Sequence, residues 1–292
     1  MTIIRKLALV VAFMTALLIS LAISMRSPAT ETPFSIQGTA SHQNDYPSPT
    51  AIALVEPKVP VTSESVEYVT IDGISINGYY AYPESASAPL PGIIAIHEWW
   101  GLNENIEAMA RRLAGEGYQV LAVDLYAGET AQSPEVARQL VETVNKNPLA
   151  AQANLQTAYN YLAQEKQAPK VGSIGWCFGG TWSLNTALLL PDKLDAAVIY
   201  YGGQVGEVSA NDLATLNLPI LGIFGAEDES IPVETVKELE KTLDSLGKTS
   251  EFHIYDNAGH AFANPSGQNY VPEAAEQAWQ ETTEFLERYL KT

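Results

Sequence analysis

The sequence contains a single cysteine, Cys177. A lone thiol cannot close an internal disulfide, and with no second cysteine nearby it forms neither a redox pair nor a zinc knuckle. Any cysteine chemistry must therefore run through this one side chain, with partners of other types. Positive charge is also scarce: 16 basic residues stand against 34 acidic ones, a formal net charge of −18. Such a field repels phosphate backbones and anionic membrane surfaces, so nucleic acid is not an expected partner. Internal repeats and heptad patterns are missing as well, which excludes a solenoid or a coiled coil. What is present is ample apolar material. At 292 residues and 46% hydrophobic content the chain can form one large α/β domain or two small ones.

Arg5 and Lys6 precede an uncharged, mostly apolar run over residues 7–24, the layout of a secretory signal. Ala22 and Ser24 are the small residues that cleavage after Ser24 requires. The run also approaches the roughly 20 residues that span a bilayer, so an uncleaved anchor remains open. With no cysteine beside it, a lipoprotein is excluded. Residues 1–25 are thus expected to be a signal peptide or an N-terminal membrane anchor. Either way the protein is expected to be exported, periplasmic or extracellular. Residues 26–62 hold Pro28, Pro33, Pro47, Pro49, Pro57 and Pro60 among many Ser and Thr, with no sustained period. That composition reads as a linker or an extended arm. The folded domain is expected at 63–292, as a monomer.

Within that domain strand and helix signals alternate. "VEYVTI" and "ISINGYYAY" flank Asp72-Gly73, a pair suited to a tight hairpin turn. The runs "GIIAIH", "QVLAVDL", "KVGSIGW", "DAAVIYY", "PILGIF" and "EFHIY" are short and apolar, as parallel strands covered on both faces require. Helical stretches are predicted at 104–117, 134–145, 148–166, 178–190, 232–246 and 272–290. The pattern gives an α/β fold: a doubly wound, mostly parallel sheet opened by an antiparallel hairpin, with helices on both faces.

In "KVGSIGWCFGGTWSLNTALLL" a strand ends near Trp176, Cys177 occupies the turn, and a helix starts near Phe178. This is a G-x-nucleophile-x-G elbow with cysteine where serine is commoner. The turn is so sharp that Gly175 and Gly179 must be small to avoid collision with neighbouring elements. The helix start aims N–H groups and the positive end of its dipole at Cys177, which favours a thiolate and any oxyanion formed there. The alternative is an ordinary buried cysteine acting as a small apolar side chain. An acid and a base in the right order favour function. "FGAEDESIP" places Asp228 just past one strand, and "YDNAGHAF" places His260 just past the next. Catalytic groups of open α/β sheets gather at that edge. Imidazole would take the thiol proton and return it to the leaving group, while the carboxylate fixes the tautomer. Glu227 is a close rival of Asp228 and Asp256 a weaker one. His253 lies inside a strand and His42 in the linker. "IAIHEWWGLN" runs from a strand into a loop at Glu98, Trp99, Trp100 and Gly101. That loop can supply a second oxyanion N–H from Trp99, beside the first from Phe178. Trp100 is as readily explained by core packing.

Taken together, "HEWWGLN", "VDLYAG", "GWCFGG", "FGAEDESIP" and "AGHAF" resemble the dienelactone hydrolase family of α/β-hydrolases, from about residue 64 to the C-terminus. The resemblance implies hydrolysis of an ester, lactone or thioester through an acyl-cysteine, with no metal or organic cofactor. It casts Cys177 as nucleophile, His260 as base and Asp228 as orienting acid. It also makes Glu98 the glutamate that hydrogen-bonds the resting thiol and yields it to histidine when substrate binds. The family's dienelactone-degrading members hold the substrate carboxylate with two arginines; Gly128 and Asn264 stand at those positions here. Losing two guanidiniums removes a bidentate carboxylate clamp, and the acidic net charge disfavours an anionic ligand further. Tyr126, Trp100, Trp99 and Phe262 are candidate linings of an apolar pocket for a neutral substrate. An acyltransferase using the same three residues and a non-catalytic binding domain are the competing readings.

Overall fold

The computed structural model describes residues 43–86 and 89–292. The segment expected to be a signal or anchor therefore lies outside the described residues, as does His42. Among the described residues no helix is long and apolar enough to cross a membrane.

The chain opens with strands β1 (Val61–Ile71) and β2 (Ile74–Pro83), paired antiparallel. Asp72 and Gly73 between them have φ of 51° and 80°. Two successive positive φ values make the mirror-image turn whose twist matches the flanking strands, and glycine takes the second at no steric cost. Six strands follow: β3 (Gly92–Ile96), β4 (Gln119–Val123), β5 (Val171–Trp176), β6 (Ala196–Tyr200), β7 (Ile220–Gly225) and β8 (Ser250–Tyr255). The eight strands form one sheet in the order β1-β2-β4-β3-β5-β6-β7-β8. β2 joins β4 antiparallel, and every later pairing is parallel. Strands β3 to β7 are buried at every residue, as their unbroken apolar runs require when both faces are covered.

The covering helices are α1 (Glu104–Gly115), α2 (Pro134–Lys146), α3 (Pro148–Asn160), α4 (Phe178–Leu189), α5 (Ala210–Leu213), α6 (Val233–Ser245) and α7 (Pro272–Leu290). Asn103 caps α1 by accepting 3.1 Å bonds from the amides of Asn105 and Ile106. The helix stops short of its predicted end because Gly117, at φ 97°, turns the chain into the left-handed region. The predicted 148–166 helix changes to a π-helical turn at Tyr161–Glu165. The one-turn α5 carries no periodic signal and was not predicted.

Packing extends ahead of Ser63, into the segment read as a linker or an extended arm. Residues 43–60 do not hang free as a linker: Ile52 is 3% exposed and belongs to the core. The Thr50 amide donates to the Pro265 carbonyl at 3.0 Å, Pro49 bridges Ser266, and Arg112 Nη1 donates to the Ile52 carbonyl at 3.3 Å. Local composition is blind to these contacts because the partners lie more than 200 residues away for Thr50.

Candidate active site

All parallel strands end at one edge of the sheet, and the loops there carry the residues singled out above. Cys177 links β5 to α4 with φ 56° and ψ −114°, a conformation that non-glycine residues seldom adopt. The surroundings enforce it. The Cys177 amide donates to the Tyr200 carbonyl at 3.0 Å, and its own carbonyl accepts the Thr181 amide at 3.1 Å. A Cβ on Gly175 would sit 2.0 Å from the Gly179 carbonyl oxygen, and one on Gly179 2.2 Å from that of Ile96. The elbow therefore closes only with glycine at both positions.

The thiol of Cys177 lies 3.2 Å from His260 Nε2, and His260 Nδ1 lies 2.8 Å from Asp228 Oδ2. Asp228 is held in turn: its Oδ1 accepts the amides of Ser230 at 2.8 Å and Ile231 at 3.1 Å. A carboxylate so fixed accepts the Nδ1 proton of His260 and turns Nε2 toward the sulfur, where it can take up and hold the thiol proton. Burial opposes charge on His260, but the negative charge that Cys177 can carry and the Asp228 carboxylate outweigh it and push the imidazole up to about 10. The rival acids are not engaged: Glu227 and Asp256 are exposed. His253 is paired with Glu281 at 3.7 Å, on the outer strand β8.

Glu98 is fully buried, with no hydrogen bond to either carboxylate oxygen. Burial pushes it up to about 7, against the influence of nearby Ser266. The resemblance led us to expect a resting thiol bonded to Glu98; here the thiol faces His260 instead. The loop that carries Glu98 is pinned from below by His97, a role the sequence reading missed. His97 Nδ1 donates to the Glu98 carbonyl at 2.6 Å and its Nε2 accepts the Leu125 amide at 3.2 Å. Burial keeps this imidazole neutral, which fits one donor and one acceptor. Tyr201, also missed, follows β6 with φ 35° and stacks edge-on against His260 at 5.5 Å. Burial, then the charges of Tyr200, Glu98 and Cys177, hold its phenol well above the ordinary range. The signal was available: "YYGG" lies at the same carboxyl edge as the other loops.

Phe178 is the first residue of α4, immediately beyond Cys177. Trp99 reaches the same cleft, and its carbonyl accepts Tyr126 Oη at 3.2 Å. The cleft above the thiol is lined by Trp99, Trp100, Cys177, His260 and the strip from Asn264 to Asn269. Trp100 also ties this strip to the loop after β3, donating from Nε1 to the Ser266 carbonyl at 2.9 Å. Two expected lining residues need correction. Tyr126 packs behind the wall against His97 and Phe178, and Phe262 is fully buried between Tyr201 and Tyr255. Their rings pack into the core because large aromatic surfaces gain most when buried against one another. Gly128 donates its amide to Asp124, and Asn264 lies in the cleft wall. Among the described residues no cluster of His, Cys, Asp or Glu could hold a metal ion.

Comparison with known proteins places this arrangement. The model of the dienelactone hydrolase family matches residues 76–290. A protein of Escherichia coli (strain K12) provisionally named carboxymethylenebutenolidase is 31% identical over 255 residues, covering 83% of this chain and 93% of its own length. Protein usf of Aquifex pyrophilus is 32% identical over 226 residues, covering 75% and 96% respectively. A crystal structure from Klebsiella pneumoniae subsp. pneumoniae MGH 78578, provisionally named dienelactone hydrolase, superposes with a TM-score of 0.71 at 31% identity, over 79% of this chain and 100% of that one. The sheet and its helices are the α/β-hydrolase fold of these relatives. The chain belongs to the dienelactone hydrolase family.

Proposed function

We propose that this protein hydrolyses a carboxylic ester, lactone or thioester through an acyl-cysteine intermediate. Family membership supports the coarser statement, a hydrolase of the ester or lactone type. The observation that carries the finer one is the continuous relay from Cys177 Sγ to His260 Nε2 at 3.2 Å and from Nδ1 to Asp228 at 2.8 Å.

The reaction follows from that geometry. As Sγ attacks the substrate carbonyl carbon, Nε2 takes the thiol proton and Asp228 stabilises the imidazolium. The carbonyl π pair moves onto oxygen, where the amides of Phe178 and Trp99 receive the negative charge. Collapse breaks the bond to the leaving group, which departs with the proton from Nε2. Water then gives a proton to Nε2 as its oxygen attacks the acyl carbon, and the second collapse releases the acid and restores the thiol. Glu98, pushed up to about 7 by burial, is largely neutral when the sulfur becomes negative below that pH, so the two charges do not oppose each other. Gly128 and Asn264 provide no cationic clamp, so dienelactone itself is a poor substrate in this reading. The apolar run at residues 7–24 supports export of the activity.

The test is hydrolysis of p-nitrophenyl acetate by the full chain beside Cys177→Ala and His260→Ala. Both variants are expected to lose about a thousandfold in kcat/KM while remaining folded. Mass spectrometry should find the acyl group on the peptide containing Cys177. Equal inertness of all three proteins on a panel of esters would refute the reading.

A further inference from the structure

The proposed reaction calls on two backbone amides, and a regular element holds only one of them. Phe178 opens α4, so the helix fixes its N–H. Trp99 lies in the loop after β3, where side chains must do the same work. The Glu98 carbonyl and the Trp99 N–H belong to one peptide unit, and in a trans peptide they point in opposite directions. His97 Nδ1 donates to that carbonyl at 2.6 Å, so the Trp99 N–H points away from the imidazole. The Gly101 amide reaches the same oxygen at 3.3 Å and closes the turn.

The imidazole is fixed in turn. Its Nε2 accepts the Leu125 amide at 3.2 Å, from the loop after β4. A carbonyl at Nδ1 and an N–H at Nε2 admit only the neutral ring with its proton on Nδ1, and burial favours the same form. His97 is fully buried and stacks on Phe178, with ring centroids 5.8 Å apart and planes at 21°. It also packs at 4.6 Å against Tyr126, whose hydroxyl donates to the Trp99 carbonyl at 3.2 Å. Both peptide planes that meet at the Trp99 Cα are thus tied through their carbonyls. A peptide whose carbonyl accepts a hydrogen bond is also polarised, which makes its N–H a stronger donor.

We infer that His97, seconded by the Tyr126 hydroxyl, is a positioning residue of the oxyanion hole: its Nδ1–H orients and polarises the Glu98–Trp99 peptide, so that the Trp99 N–H meets the negative acyl oxygen. This rests on the proposed hydrolase reading and adds to it the group that prepares the second donor. His97 does not line the cleft, so it acts through the peptide rather than on the substrate. Losing its bond to the Glu98 carbonyl should weaken the transition state and leave ester binding nearly unchanged.

Two variants of the full chain separate the bond from the bulk of the ring. In His97→Asn the side-chain amide puts Nδ2 where imidazole Nδ1 stands and keeps the donor to Glu98. In His97→Gln the polar end lies at the level of Nε2, and that donor is lost. Both remove the ring, so a merely structural role predicts equal losses. With p-nitrophenyl acetate, kcat should fall at least about tenfold in His97→Gln at nearly constant KM, less than the roughly 10²–10³ of deleting a donor outright. His97→Asn should stay within about threefold of the parent. Inhibition by a trifluoromethyl ketone should weaken in His97→Gln by the same factor as kcat. Its oxygen becomes negative when Sγ bonds to the carbonyl carbon and Nε2 takes the thiol proton. Equal losses in the two variants, or a loss confined to KM, overturn the inference and leave the hydrolase reading standing. Tyr126→Phe, which deletes one hydroxyl and keeps the ring, decides where the His97 variants unfold: a fall in kcat of about threefold at constant KM supports the inference, and an unchanged kcat overturns it. Failure of the hydrolase reading is separable, because it appears as inertness of the parent toward all esters. The peptide is then read without turnover, by magnetic resonance of protein carrying nitrogen-labelled tryptophan. The Trp99 backbone resonance, identified by its loss in Trp99→Phe, should move in His97→Gln and hold its parental position in His97→Asn, whereas equal shifts overturn the inference.

Discussion

The two walls of the cleft are built on different physical terms. The elbow wall is local: strand, Cys177 and helix are contiguous, and the close approaches of Gly175 and Gly179 to neighbouring backbone leave one way to make the turn. The rim wall is assembled from segments more than 200 residues apart, joined by a few hydrogen bonds from Thr50 and the burial of Ile52. The difference separates the wall that holds the thiol from the wall that bounds the cleft. A nucleophile must be placed to within a fraction of an ångström, which favours rigid, contiguous construction. A rim that only bounds the cleft tolerates a looser assembly.

The sharpest way to break this contrast is Gly179→Ala, whose Cβ would stand 2.2 Å from the Ile96 carbonyl and 2.5 Å from that of His97. Both are backbone atoms, so the cost is expected to exceed about 4 kcal/mol, with activity lost, as measured by chemical denaturation and ester turnover. If the variant is as stable as the parent, the elbow is not the rigid wall described.

Glu98 tests the same wall through pH. Its folded carboxyl is pushed up to about 7 from an ordinary 4.5, so the native state binds the proton more tightly than the unfolded chain does. Stability from this group is therefore fully present below about pH 4.5 and is lost as pH rises to about 7, by up to roughly 3 kcal/mol. Glu98→Gln should remove that slope in denaturant midpoints taken from pH 5 to pH 8, and a slope left unchanged would assign the effect to another group.

The smallest expected effect lies where the walls meet. Trp100→Phe deletes the 2.9 Å bond from Nε1 to the Ser266 carbonyl and leaves that buried oxygen without this donor. A loss of about 1–3 kcal/mol is expected in equilibrium unfolding, with faster hydrogen exchange in the strip from Asn264 to Asn269 than in β5. Equal acceleration in both would mean that the walls open as one unit.

Much of the fold was legible in the sequence, for reasons visible at individual positions. The unbroken apolar runs of β3 to β7 read as strands covered on both faces, and Asp72-Gly73 read as the hairpin turn. The order Cys177, Asp228, His260 was readable because each follows a strand, and parallel strands deliver their following loops to one edge. Pocket lining was not readable in the same way. Tyr126 and Phe262 have the composition of a pocket wall, but their rings turn into the core, whereas Asp45 has the composition of a linker and stands in the cleft.

By itself, the sequence determined the strand and helix pattern, the elbow and the order of Cys177, Asp228 and His260 after successive strands, because these depend on local sterics, periodicity and chain order. Only the tertiary structure decided which side chains face the cleft, that His97 pins the Glu98 carbonyl, that Tyr201 packs against His260, and that Asp45 of the N-terminal arm reaches the cleft. Those outcomes depend on contacts between residues far apart in the chain, whose energies appear only when the backbone has brought them together.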